Sequence, residues 1–175
     1  RISDIIGRKK TLIFVAFLYA ISAVLSAMSI SYEMLYIARI IGGIAFGAAL
    51  VLAPIYIAEI STAENRGKLV SLQQLNIVFG FFAAFLSNYF FNKYNTIDSS
   101  FLSDENVWRY MLGVELIPAI FYFVLLFFVP KSPRWLYLKE NYEEAKKVLN
   151  KIDGHERGAI EITAIEKNIY ENKNK

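Results

Sequence analysis

A chain of 175 residues in which 55% are apolar and only 20% are charged is too greasy for an ordinary soluble domain. Its net charge of +3 does not mark a nucleic-acid binder, because the basic residues fall in short clusters beside apolar runs, not along one stripe interleaved with aromatics. No cysteine is present, which excludes disulfides and thiolate metal sites. His155 is the single histidine and is expected in a solvated turn, so no metal and no cofactor is implied.

The chain opens on Arg1 and reads as a piece of something longer. A hydrocarbon core of about 30 Å needs about 20 apolar residues in a helix rising about 1.5 Å per residue. After a basic stretch over 1–10, residues 11–30 meet that need with no charge at all. Residues 34–57 follow, interrupted by Arg39, and then the uncharged stretch 69–91. The last runs over 108–129, with Arg109 at its mouth and Glu115 inside. The pattern predicts an all-α membrane protein with its transmembrane part over 11–136. The polar remainder, 137–175, is expected to be a helical tail: Tyr142, Ala145, Val148, Leu149 and Ile152 recur at helical spacing, with Gly154 as the stop. Ile162, Ile165 and Ile169 suggest a second tail helix starting near Gly158.

The loops set an orientation. Arg8, Lys9 and Lys10, then Arg66 and Lys68, then Lys131, Arg134 and Lys139 lie on one side. The other side offers Glu33, and Lys93 against Asp98, Asp104 and Glu105. The excess of Lys and Arg places the N-terminus, the Glu59–Lys68 loop and the tail in the cytoplasm.

An ionisable side chain at the centre of a span costs about 2.5–3.5 kcal/mol on insertion scales, so each needs a partner or a wet cavity. Arg39 lies about 8 Å and Glu115 about 10 Å into spans that both begin on the outer side, which suggests a pair at matching depth. Such a pair is either a static ion pair or a protonatable carboxylate poised by a cation. Gln73, Gln74 and Asn76 sit early in the third span; amides there either bond neighbouring helices or hold sugar hydroxyls. Gly43 and Gly47 have the spacing that lets helices approach closely, expected here to pack against a neighbour in the same chain. Pro54 and Pro118 should each bend their helices.

Several motifs jointly resemble the sugar porters of the major facilitator superfamily, the bacterial sugar–proton symporters of the xylose type among them. Ser3-Asp4-Ile5-Ile6-Gly7-Arg8-Lys9-Lys10 is similar to the end of their basic signature loop. Arg39 with Gly43 and Gly47, Pro54-Ile55-Tyr56-Ile57-Ala58-Glu59 with Arg66-Gly67, and Gln73-Gln74-Leu75 leading to Gly80 resemble their helices four and five and the loop between. Trp108-Arg109-Tyr110-Met111, Pro118 and Pro130-Lys131-Ser132-Pro133-Arg134-Trp135-Leu136 resemble helix six and the motif after it.

The resemblance implies that the four spans are helices three to six of a twelve-helix fold in the plasma (inner) membrane, with the remainder of the transporter as partner. It implies that Gln74, with Gln73 beside it, contacts a monosaccharide. Asp4, Arg8, Glu59, Arg66 and Arg134 would form a cytoplasmic gate network. Arg39 and Glu115 would couple proton binding, as in the symporters, by alternating access. A facilitative uniporter, a non-transporting sugar sensor and an inactive truncated transporter are the alternatives; no catalytic constellation suggests an enzyme. Three departures stand out: Ile5 for a usual base, Lys131 for a usual glutamate, and Ser61-Thr62 without the common proline.

Overall fold

A computed structural model describes residues 2–62, 64–95 and 106–152. The described residues form helices in chain order: α1 Ile2–Ile6, α2 Arg8–Ala27, α3 Tyr32–Ile60, α4 Arg66–Asn95, α5 Val107–Gly113, α6 Leu116–Phe128 and α7 Pro133–Leu138. Residues 142–152 are helical as well and are called α8. The acidic loop residues Asp98, Asp104 and Glu105, His155, and the proposed second tail helix lie outside the described residues.

The helices α2, α3 and α4 and the α5–α6 pair are long and apolar enough to cross a membrane, four candidate spans among the described residues. α3 and α4 run a few residues past their predicted apolar stretches at both ends, because backbone hydrogen bonding does not stop where the hydrocarbon does, whereas α2 both starts and ends three residues before the predicted 11–30. None of the apolar window of α4 is buried within the described chain. Lipid or further protein must cover that surface.

Pro54 lies inside an unbroken α3, whereas the fourth span breaks. The break falls at Val114–Glu115, one turn before Pro118. Proline lacks the N–H that would bond the Val114 carbonyl, and its ring crowds that carbonyl. Ile117 N–H takes the Val114 oxygen instead at 3.1 Å, and Glu115 N–H bonds the Leu112 oxygen at 3.3 Å, both in the tighter three-residue pattern.

The chain divides into two compact units. The first comprises Arg1–Leu12, Leu52–Ser71 and Val129–Lys175. In it Gly7, at φ +102°, ends α1 in the left-handed region that glycine alone enters cheaply. Ser132 begins α7 by accepting the Trp135 N–H at 3.2 Å, with Pro133 in the first turn. The far end of α7 closes through Glu140 at φ 60°: Asn141 N–H bonds the Leu136 oxygen and Glu140 N–H the Tyr137 oxygen, each at 3.0 Å. That is the helix-ending motif in which glycine usually fills the Glu140 position. Leu136, Ala145 and Leu149 are buried, and the Tyr137 and Tyr142 rings meet edge to face.

The second unit comprises Ile13–Val51 and Leu72–Phe128. Here α2 and α3 pack through small residues: Ser22 Oγ donates to the Ala38 oxygen at 2.6 Å, and a Cβ placed on Gly42 would clash with that same Oγ. Gly43 and Gly47 have nothing within 4 Å of a Cβ among the described residues. Among the described residues the close approach is therefore made by Gly42, not by the Gly43–Gly47 pair. Adjacent helical residues point about 100° apart, and only Gly42 faces α2. At the other end of α2, Arg109 Nη2 donates to the Ser29 oxygen at 3.1 Å, and its guanidinium lies 5.1 Å from the Trp108 ring.

Candidate functional sites

In the first unit, the positive-φ turn at Gly7 brings Asp4 and the start of α2 together. Arg8 Nη1 lies 2.8 Å from Asp4 Oδ1 and its Nε 3.0 Å from Glu59 Oε1. Neither approach has the linear geometry of a hydrogen bond, so the attraction is chiefly Coulombic. The side chains of Arg8 and Glu59 are 10% and 8% exposed, so neither charge is tolerable without the other. The second Glu59 oxygen accepts the Ser132 hydroxyl at 2.6 Å. Trp135 donates its indole N–H to the Asp4 carbonyl at 3.0 Å, and Tyr56 donates its hydroxyl to the Pro130 carbonyl. The Arg8 guanidinium holds the Asp4 carboxyl below the ordinary aspartate value.

Of the five residues expected in a gate network, Asp4, Arg8 and Glu59 meet. Arg66 heads α4 and Arg134 sits in α7; both are exposed, and neither joins this cluster among the described residues. Ser132, Trp135 and Tyr56 do belong to it. Serine before proline at a helix start was a signal in the sequence for Ser132. That signal marks a helix start only; nothing local announced its contact with Glu59 or the contacts of the other two. Lys131 reaches away from the cluster, to Glu144 Oε1 at 2.7 Å.

In the second unit, Arg39 on α3 meets Glu115 in the break of the fourth span. Nη1 approaches Oε2 at 3.2 Å and Oε1 at 3.4 Å, and Nη2 approaches Oε1 at 3.4 Å. This is a loose fork-on-fork arrangement, with side chains 42% and 34% exposed. Two apolar spans thus present a joined positive and negative charge on an open face. Tyr19 of α2 lies within electrostatic reach of both charges, and no sequence pattern marks it as their neighbour. On α4, Gln74 and Asn76 are exposed, while Gln73 Oε1 is buried without a hydrogen-bond partner. No group of three or more metal-ligating side chains occurs among the described residues.

Long apolar helices, a charge pair within them and a charged cluster at the end of α3 define a multi-pass membrane protein of the major facilitator type. Solved structures agree. The partially occluded inward-open xylose transporter XylE from Escherichia coli is 36% identical, with a TM-score of 0.88, over 98% of this chain and 44% of that one. The proton:xylose symporter XylE bound to 6-bromo-6-deoxy-D-glucose is 35% identical, with a TM-score of 0.89, over 98% and 39%. The chain belongs to the sugar (and other) transporter family, whose model matches residues 1–175.

Among curated relatives, the glucose transport protein of Synechocystis is 43% identical over 87% of this chain and 33% of its own length. The arabinose-proton symporter of Escherichia coli is 38% identical over 94% and 33%. The chain therefore spans about a third of the length of the relatives it matches.

Proposed function

We propose that the chain is one part of a secondary sugar transporter that moves a monosaccharide together with protons by alternating access, its four spans being helices three to six of twelve. The observation that carries this reading is the Arg39–Glu115 pair inside otherwise apolar spans. A carboxylate and a guanidinium in that setting cost several kcal/mol to insert unless they neutralise each other. Protonating Glu115 would leave Arg39 without its counter-charge, so proton binding is tied to a change of partner for Arg39. Such a step can bias one conformation over another only because the two states differ in how they bind the proton.

Gln74, exposed on α4, is assigned to the sugar, since its amide offers both donor and acceptor to hydroxyl groups. Gln73, with its buried and unpartnered oxygen, would support that wall. The Asp4–Arg8–Glu59–Ser132 cluster is assigned to the cytoplasmic gate, with Arg66 and Arg134 available on the surface for charges of the other half. The positive-inside distribution supports a cytoplasmic N-terminus and tail. Relatives whose names include an arabinose-proton symporter and a proton:xylose symporter support the coupled mode.

The test is uptake of labelled pentoses and hexoses into liposomes carrying the full-length protein, with and without an imposed proton gradient. Accumulation above equilibrium is expected only with the gradient. Glu115→Gln should abolish that accumulation while sparing equilibrative exchange, and Gln74→Ala should weaken sugar binding at least tenfold without harming insertion. Equilibration indifferent to the gradient in the parent protein would reject coupling and leave a uniporter.

A further inference from the structure

We infer that Lys131 and Glu144 form a latch that fixes the tail helix α8 to the tripeptide Pro130-Lys131-Ser132, and through it to the end of α3. Lys131 Nζ lies 2.7 Å from Glu144 Oε1, and Asn141 Nδ2 holds the other carboxylate oxygen at 3.0 Å. The carboxylate is thus gripped from both sides and cannot turn away without losing a bond.

The three consecutive residues divide their contacts. Pro130 accepts the Tyr56 hydroxyl and Ser132 donates to Glu59, both partners being on α3. Lys131, between them, takes the tail. A tripeptide pinned at each residue has little freedom left to absorb motion, so a displacement at the end of α3 is carried to α8. The closed turn at Lys139–Asn141 shortens the remaining connection, and Leu136 of α7 and Ala145 and Leu149 of α8 are buried.

The arrangement also explains how the chain accommodates a lysine at position 131. The ammonium is neutralised within the same segment by Glu144, so it adds no unpaired positive charge beside Arg8. Lys131 is a positioning residue for the tail, not a member of the Asp4–Arg8–Glu59 cluster. This inference does not depend on transport, and its test does not read flux.

The experiment is hydrogen–deuterium exchange on the full-length protein in lipid nanodiscs, following amides of residues 142–152, with residues 52–60 as the internal standard. An exposed ion pair is worth about a two- to fivefold change in an opening equilibrium. Lys131→Gln and Glu144→Gln should each speed exchange in 142–152 by about that factor. K131E should speed it further, since it sets two carboxylates against each other. The charge exchange K131E/E144K should return it to within about twofold of the parent, with residues 52–60 unchanged throughout. Unchanged exchange in both glutamine variants would overturn the latch. So would a charge exchange that stays as fast as K131E alone. If K131E fails to fold, the two glutamine variants decide the matter alone.

Discussion

Glu115 reaches Arg39 from the two-residue turn that Pro118 imposes on the fourth span. The proline removes one backbone bond and displaces the Val114 carbonyl, and the resulting tight turn at Val114–Glu115 sets the direction in which the carboxylate leaves the backbone. A helix wound straight through this point would carry Glu115 at a different angle. Sequence position puts the charge in the membrane; the proline aims it.

Replacing Pro118 with alanine should therefore weaken the pair although it improves the helix. Coupling between Arg39 and Glu115, measured by a double-mutant cycle of Arg39→Gln and Glu115→Gln on thermal unfolding, is expected at about 1–3 kcal/mol in the parent. In a Pro118→Ala background it should fall by half or more. Equal coupling in both backgrounds would show that Pro118 does not position Glu115.

The contact of α2 with α3 gives a second outcome. Gly42→Ala drives a methyl into Ser22 Oγ, which itself donates to the Ala38 oxygen and cannot simply rotate away. Overpacking of this kind costs about 1–3 kcal/mol. The double variant Ser22→Ala/Gly42→Ala removes the clashing oxygen and should recover about half of the loss, the remainder being the missing hydrogen bond. Unfolding midpoints in detergent for the two variants and the parent check this. A harmless Gly42→Ala would mean that the helices do not meet there.

How far the sequence could be read follows from these particulars. The spans were legible because hydrocarbon thickness fixes how many apolar residues a helix must string together. Arg39 and Glu115 could be matched by depth alone, since both spans start from the same side. Helix rotation was not legible: a run of glycines at 42, 43 and 47 contains a packing motif, but which glycine faces the neighbour depends on how the helices settle. Pro118 announced a bend, yet the break falls a turn earlier, at the carbonyl that proline disturbs. In the charged cluster, resemblance supplied Asp4, Arg8 and Glu59. Ser132 meets Glu59 across 73 residues and Trp135 meets Asp4 across 131, and no local pattern encodes either contact.

Asp4 carries a pH prediction. Its carboxyl is held below the ordinary value by Arg8, so its folded-state pKa lies below its unfolded one. The stability this contributes is fully present above the unfolded value of about 3.9, and it is lost as pH falls through the folded value. Asp4→Asn should thus lower the unfolding midpoint by the same amount at pH 6 and at pH 8, because Asp4 stays ionised across that window. The difference between variant and parent should shrink only in strong acid, below pH 4. A penalty that already disappears between pH 8 and pH 6 would show that Asp4 titrates there and that Arg8 does not hold it ionised.

Gly7 and Trp135 offer the sharpest structural test. Gly7 stands at φ +102°, where an L-residue pays about 1–2 kcal/mol in backbone strain. A Cβ there would also lie 3.0 Å from the Trp135 ring, whose N–H is bound to the Asp4 carbonyl and so resists displacement. Gly7→Ala should cost about 2–3 kcal/mol, seen as a lower unfolding midpoint. Trp135→Phe keeps an aromatic ring but lacks the N–H, and should lose about 1 kcal/mol. Combining the two changes separates the causes. If the ring contact dominates, the freer phenylalanine moves aside and the double variant is more stable than the sum of the singles implies. If backbone strain dominates, the two losses add within about 0.5 kcal/mol.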